Sequence, residues 1–342
     1  MERIRPWFYD QFQCIAHLCD DTCCAGWEIY IDDASLANYR GDGSEFGLYR
    51  QSKIIERADG ATFALGENKR CPFLNAQNLC TMILEDGASS LCHICTHHPR
   101  FYKEYGHYDE QGIGLCCPEG SRLLLSAPLR FQRHQVDGDT PLDPMAETIF
   151  SLRGLLQEIL LDRELPFTDR CLEGMELAQQ AQSQLYGDGA PQGEVLATKE
   201  IFWQVLLKEM MALEPIDQGW QTYLEAMEAQ LPRLLAREGD FCNSDAYDPD
   251  QYGDIAAYIL YRHFPDALWD GEIVARFTFA VRSTLFIHLC YVSAWLEQGA
   301  LTQEDKAMHL KNWSKQVEYS DENTQQFLQS CKENPVLLGP CR

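Results

Sequence analysis

Ten of the fifteen cysteines in this 342-residue chain lie between Cys14 and Cys117. They are Cys14, Cys19, Cys23, Cys24, Cys71, Cys80, Cys92, Cys95, Cys116 and Cys117. Free thiols are ordinarily scattered singly, as small buried apolar groups. A set this dense, spaced C-x4-C-x3-C-C, then C-P, C, C-x2-C and C-C-P, leaves two kinds of structure for the N-terminal third. Either the thiols pair as disulfides, or they hold a soft metal or an iron–sulfur cluster.

Compartment separates the two. The opening residues MERIRPWFYDQFQC contain no apolar stretch of seven or more, so no signal peptide is expected. The longest charge-free apolar run, from about Ser283 to Leu296, is short for a bilayer span and is interrupted by His288. A soluble cytoplasmic protein is expected, where thiols stay reduced. An odd cysteine total also suits a disulfide framework poorly. Metal binding is therefore the preferred expectation, with Cys171, Cys242, Cys290, Cys331 and Cys341 as separate reduced thiols.

Charge limits the partners. The formal net charge is −24, from 28 basic and 52 acidic side chains. Residues 1–127 carry 11 basic and 18 acidic groups, hence −7, and the remainder carries 17 and 34, hence −17. Such a balance repels phosphate backbones and anionic lipid, so neither nucleic acid nor a membrane surface is an expected partner. It attracts a basic segment, such as a lysine-bearing protein, although solubility alone also accounts for it.

Along the chain, the spacing predicts a mainly α protein: an irregular cysteine-rich metal or cluster module at 1–127, a linker at 128–143 and an all-helical domain at 144–342. Trp27–Asp32 alternates as a short strand does, and Ala34–Arg40 reads as a helix capped by Asp32 or Asp33. Residues 41–70 are rich in Gly and charge and read as a surface excursion. Cys71-Pro-Phe-Leu and Leu79-Cys-Thr-Met-Ile read as two short pieces joined by a polar turn at Asn75–Asn78. Asp143-Pro144 opens a helix, with others expected around 169–186, 194–213, 217–236, 254–264 and 270–298, the last closed by Gly299. Thr302 and Ser320 begin two more.

A metal site needs ligands from several points of the chain, and adjacent cysteines such as Cys23-Cys24 serve one tetrahedral ion poorly. The pairs Cys71-Pro72 and Cys117-Pro118 match the Cys-Pro ending of bacterial iron–sulfur runs, while zinc remains the alternative. The C-x3-C-x2-C signature of radical chemistry on S-adenosylmethionine is absent, because Gly26 stands where its third cysteine belongs. No glycine-rich dinucleotide turn is present either, since Gly112-Ile-Gly114 runs into cysteines.

These motifs resemble a known family. Cys14-x4-Cys19-x3-Cys23-Cys24-Ala-Gly-Trp27, Cys71-Pro-Phe-Leu, Leu79-Cys80, Cys95-x3-Pro99-Arg100 and Cys117-Pro-Glu119-x2-Arg122-Leu are similar to the flagellin lysine-N-methylases, which carry a YkgJ-like cysteine-cluster domain. Tyr258-x2-Tyr261-Arg262-x-Phe264 is similar as well, on a shorter pattern. The resemblance implies methyl transfer from S-adenosylmethionine to lysine ε-amines of a protein, flagellin or another with exposed lysines. It implies a [4Fe-4S] cluster in the cysteine module, held by four of the eight positions that the family pattern uses, Cys14, Cys19, Cys23, Cys24, Cys71, Cys80, Cys95 and Cys117, leaving Cys92 and Cys116 as extras.

Within that expectation Tyr258, Tyr261 and Glu119 are the candidate catalytic groups, because tyrosine faces hold cations and a carboxylate accepts a proton. Tyr102 and Tyr105 share the first property. Arg100, Arg122 and Arg262 are candidates to hold the donor, a guanidinium matching its carboxylate through a bidentate contact. His97 and His98 read as support for the cysteines or as surface groups. Two non-catalytic functions stay open beside the methylase: a metal carrier or iron–sulfur redox protein, and a zinc-stapled interaction module.

Overall fold

In Glu2-Arg-Ile-Arg-Pro the side chains alternate, and strand β1 (Glu2–Pro6) turns Ile4 and Pro6 inward. The computed structural model describes residues 1–335, except 20, 139, 142 and 188–197. After β1 come β2 (Tyr30–Ile31), α1 (Asp33–Gly41), α2 (Glu45–Gln51), β3 (Ile54–Arg57), β4 (Gly60–Phe63), α3 (Thr81–Asp86) and α4 (His93–His97). Next are β5 (Arg100–Tyr105), β6 (Tyr108–Ile113), α5 (Pro118–Ser126) and β7 (Phe131–Gln135). Nine helices follow among the described residues. They are α6 (Pro144–Leu160), α7 (Phe167–Tyr186), α8 (Lys199–Met211), α9 (Gln218–Cys242), α10 (Pro249–His263), α11 (Ala267–Asp270), α12 (Ile273–Gln298), α13 (Gln303–Val317) and α14 (Asp321–Glu333). The protein is mainly α, as the spacing predicted.

The chain divides into two compact units, and the division departs from the expected bounds of 1–127, 128–143 and 144–342. One unit is Gln13–Phe101 with Cys117–Glu119. The other joins Met1–Phe12, Tyr102–Cys116 and the chain from Gly120 onward. The reason is a four-stranded sheet ordered β5-β6-β1-β7, which recruits β1 and β6 from the first 127 residues. In it β1 runs parallel to β6 (Ile4 opposite Glu110) and antiparallel to β7 (Ile4 opposite Arg133). Strand β7 occupies the stretch expected to be a linker. Four of its five residues are exposed, so its composition reads as loop although its backbone pairs.

The helical unit is held by α12, which packs on α7, α9, α10, α13 and α14. By length and composition α12 is apolar enough to cross a membrane, yet 94% of that window is buried in the fold. Gly271 and Gly299, both left-handed (φ 73° and 75°), end α11 and α12, and the helix expected over 270–298 is found as α12, starting at Ile273. Asp143, Thr302 and Ser320 cap α6, α13 and α14 through their side chains. Close approach of α10 to α6 requires Gly253, where a Cβ would lie 2.4 Å from the Leu160 carbonyl oxygen.

Beneath the sheet lies a buried charge pair. Strand β6 is buried along its whole length, and its Glu110 meets Arg153 of α6 at 2.5 Å. Arg153 also donates to the Tyr261 carbonyl (3.2 Å) and lies over the Phe150 and Tyr261 rings. Removing one partner of such a pair strands a buried charge. Glu110→Ala is therefore expected to lower the unfolding free energy by about 3–5 kcal/mol in urea titration. A fragment starting at Asp143 has Arg153 but no Glu110, and is expected to lack a cooperative unfolding transition.

Candidate metal centre

The cysteine-bearing unit is small, and its core is partly sulfur. Cys71 and Cys92 are buried with Ile29, Ile31, Tyr39, Phe63, Phe73 and Met82, and Cys24, Cys80 and Cys95 pack against them. Backbone ties bring the loops together. Ala25 bridges to Arg70, the Cys71 N–H donates to the Cys24 carbonyl (2.8 Å), and Leu74 bridges to Cys80. The Asn75 side chain accepts from the N–H groups of Gln77 and Leu79, both at 2.9 Å, closing the polar turn expected there. Asp32 caps α1 through Ser35 and also accepts from the His93 N–H at the start of α4. These N–H donors, His93 first, hold its carboxyl down at about 2. The Gly-rich stretch 41–70 proves structured rather than a bare excursion: it forms α2 and the β3–β4 hairpin, with Glu56 and Arg57 outward.

Two sulfur neighbourhoods result. Cys24 interacts with Cys71, Cys80 and Cys95, and the adjacent Cys23 interacts first with Cys24 and then with Cys14 and Cys117, which joins the two neighbourhoods. Cys14 and Cys23 are exposed, and Cys19 and Cys117 are half-buried. A hydrogen bond from the Cys23 thiol lowers Cys24 to about 7 and pushes Cys23 up. The pair Cys95 and Cys92 repeats this arrangement, with Cys92 lowered to about 7. Burial pushes Cys71 up to about 12. Ligand thiols must ionise, so two of the sulfurs stand ready near neutral pH. As a donor set these thiols fit zinc or an iron–sulfur cluster.

Cys92 was set aside in the sequence, yet it lies in the core beside Cys95. The C-x2-C spacing was the signal. Cys116, the other extra, belongs to the helical unit, where it bonds Tyr319.

The proposed catalytic tyrosines are core residues. Tyr258 and Tyr261 are 0% exposed. The Tyr258 hydroxyl donates to the Ile113 carbonyl (2.7 Å) and accepts from the Ile113 N–H (2.9 Å). Tyr261 donates to the Ile4 carbonyl (2.8 Å), with that of Gln111 at 3.1 Å. Burial raises both phenols, so neither is a base at neutral pH. Their Tyr-x2-Tyr spacing marks a helix face packed on β1 and β6. Arg262 is half-buried, 3.4 Å from Glu318, and lies over the Tyr319 ring. Tyr105 donates to Asp266 (2.7 Å), while Tyr102 is exposed and bonds Tyr9.

The remaining candidates are more accessible or nearer the sulfurs in sequence. Glu119 is buried at the start of α5, two residues after Cys117. Arg100 is half-buried at the start of β5, and Arg122 is exposed on α5. His97 is half-buried and stacks on His93, and His98 packs on Trp27.

One further trio, unforeseen in the sequence, is Glu238, Cys242 and His288, whose ligand atoms lie within 4.8 Å of one another. Cys242 is disulfide-bonded, against the expectation of a reduced thiol, and a disulfide sulfur offers no thiolate. Glu238 meanwhile bonds His288 (3.2 Å) and Lys199 (2.8 Å). Cys171, Cys290 and Cys331 are free and buried, and Cys341 lies outside the described residues.

The described residues thus define a thiol-rich donor module carried by a mainly helical protein. The chain matches no family model and no solved structure. It is 28% identical over 131 residues, 36% of its length, to the flagellar biosynthetic protein FliU of Salmonella muenchen, covering 76% of that protein. It has the same identity over the same length to lysine-N-methylases of Salmonella typhimurium and Salmonella choleraesuis, covering 32% of each. The match therefore spans about a third of those methylases. The names agree with the resemblance carried by the cysteine motifs.

The Arg262 site yields a pH prediction. Burial alone would push the Glu318 carboxyl up; Arg262 and His263 more than offset it and hold it at about 2. Its ordinary value is 4.5, so its stabilisation is complete above that pH and is lost as pH falls toward 2. Glu238 is held at about 2 as well, by His288 and Lys199 against burial. Urea midpoints should therefore fall between pH 4.5 and 2. Glu318→Gln should be less stable at neutral pH, with a shallower decline on acidification.

Proposed function

We propose that the protein is an S-adenosylmethionine-dependent protein-lysine N-methyltransferase whose cysteine module holds an iron–sulfur cluster. The observation that carries this is the 131-residue similarity to two lysine-N-methylases and FliU. The sulfur donor set supports the cluster. The inner sulfurs Cys24, Cys71, Cys80 and Cys95, with Cys92 beside them, form one candidate ligand set, and Cys14, Cys19, Cys23 and Cys117 form the other. A bound cluster or zinc ion would cross-link these loops and add its binding free energy to folding. Reduced thiols are what a cytoplasmic location supplies.

In the proposed reaction a neutral lysine amine attacks the donor's methyl carbon. The N–C bond forms as the S–C bond breaks, the demethylated thioether leaves, and the amine loses one proton. Glu119 takes that proton in our assignment, because it is the acid that follows Cys117-Pro118 in the matched motif. Arg100 is assigned to the donor's carboxylate. Tyr258 and Tyr261 have no part in it, being committed to the core, and Arg262 is engaged with Glu318. The substrate is flagellin or another protein with exposed lysines.

A zinc-stapled, non-catalytic module is the second reading, and burial of Cys71 and Cys92 in the core of a small unit favours it. Anaerobic purification followed by iron, sulfide and zinc analysis separates the two metals. Calorimetry with the metal-loaded full chain and labelled-methyl transfer to protein lysines separates the functions. Arg100→Ala is expected to lower transfer at least tenfold, about 1.4 kcal/mol, with metal content unchanged. Tyr261→Phe should leave transfer within twofold and cost stability instead. Absence of donor binding at millimolar concentration ends the methylase reading and leaves the staple.

A further inference from the structure

The cysteine-bearing unit holds a cleft of about 850 Å³, and none of the chemistry above uses it. Its apolar walls are Phe46, Tyr49, Pro72 and Leu74. Phe46 and Tyr49 come one turn apart on α2, with ring centroids 6.0 Å apart at 39°. Tyr49 is 43% exposed, so its ring stands open to solvent. Glu45, Glu85 and Asp86 also line it.

The charges around the cleft are unevenly matched. Arg50 lies buried behind it and is neutralised by Asp42 (2.5 Å) and Asp86 (2.6 Å). Glu45 and Glu85 are exposed and form no ion pair among the described residues. Two carboxylates thus face solvent beside two aromatic rings and two aliphatic side chains. An alkylammonium group suits this combination: its methylene stem covers apolar surface, and its charged head meets a ring face or a carboxylate. The chain already contains one such contact, with Lys53 Nζ 5.1 Å from the Tyr49 ring centroid. A sulfate, phosphate or carboxylate ligand would instead meet uncompensated like charge. The net charge of −24 draws basic segments toward the protein as a whole.

We infer that this cleft binds a lysine side chain of a protein partner. The identity of that partner as a methylation substrate rests on the function proposed above; the binding itself does not. Pro72 and Thr81 of the lining follow Cys71 and Cys80 directly in sequence, so the occupant is docked beside two sulfur-bearing residues.

The test uses the full-length, metal-loaded protein and a blocked lysine–glycine peptide, with the same peptide Nε-acetylated as control. Calorimetry at low salt is expected to show binding of the lysine peptide, at least tenfold weaker binding of the acetylated one, and loss of affinity with rising salt. Tyr49→Ala should weaken binding at least tenfold, and Tyr49→Phe should restore it. Glu45→Gln with Glu85→Gln, both at exposed positions, should weaken binding and flatten its salt dependence without altering metal content. Equal affinity for the two peptides, or wild-type affinity in both Tyr49→Ala and the double variant, overturns the inference. Cleft-dependent peptide binding without donor binding leaves the inference standing while the methylase reading fails. Donor binding with methyl transfer unchanged in Tyr49→Ala and the double variant removes the cleft and keeps the enzyme.

Discussion

A guanidinium that is 1% exposed must find its partners inside the protein, and Arg153 finds them on both sides of the sheet-to-helix contact. Glu110 supplies the counter-charge from β6, and the Tyr261 carbonyl supplies a second acceptor from α10. The rings of Phe150 and Tyr261 cover its faces. Desolvating such a group is tolerable only when every partner is in place. Strand β6, helix α6 and helix α10 are therefore fixed together, and β1 joins them through the Tyr261 hydroxyl on the Ile4 carbonyl. The two tyrosines that a short motif put forward as catalysts belong to this arrangement.

Helices were legible wherever apolar spacing met a cap. Asp143-Pro144, Thr302 and Ser320 announce their helices locally, because capping is a contact over two or three residues. Strands were not. β1 pairs with residues 106 positions away, β6 is buried on all sides and does not alternate, and β7 is a polar edge strand that resembles loop. Only pairing turns these segments into strands, and pairing is a tertiary event.

At the candidate centre, cysteine spacing marked the thiol-rich region but not which loops meet there. The Ala25–Arg70 bridge and the Cys71-to-Cys24 hydrogen bond bring Cys24 to Cys71, 47 positions away in the chain. Tyr258 and Tyr261 misled for a related reason. Residues three apart on a helix share one face whether that face lines a pocket or packs in a core. The wall of the acidic cleft was hidden in a stretch whose Gly and charge content suggested loop, although Ser44 caps α2 there and aligns Phe46 with Tyr49.

The interleaving of the two units has a consequence for biosynthesis. The sulfur-bearing unit is inserted between β1 and the strands that β1 needs, so β1 is made early and remains unpaired while the intervening residues follow. Translation at about 5–20 residues per second makes that delay on the order of 5–20 s for the 106 residues between Arg3 and Asp109. During that interval eight of the ten clustered cysteines, all but Cys116 and Cys117, enter the chain, and all ten precede α6. The thiols thus meet metal and oxidant on the nascent polypeptide first, ahead of the helices that make up most of the finished molecule.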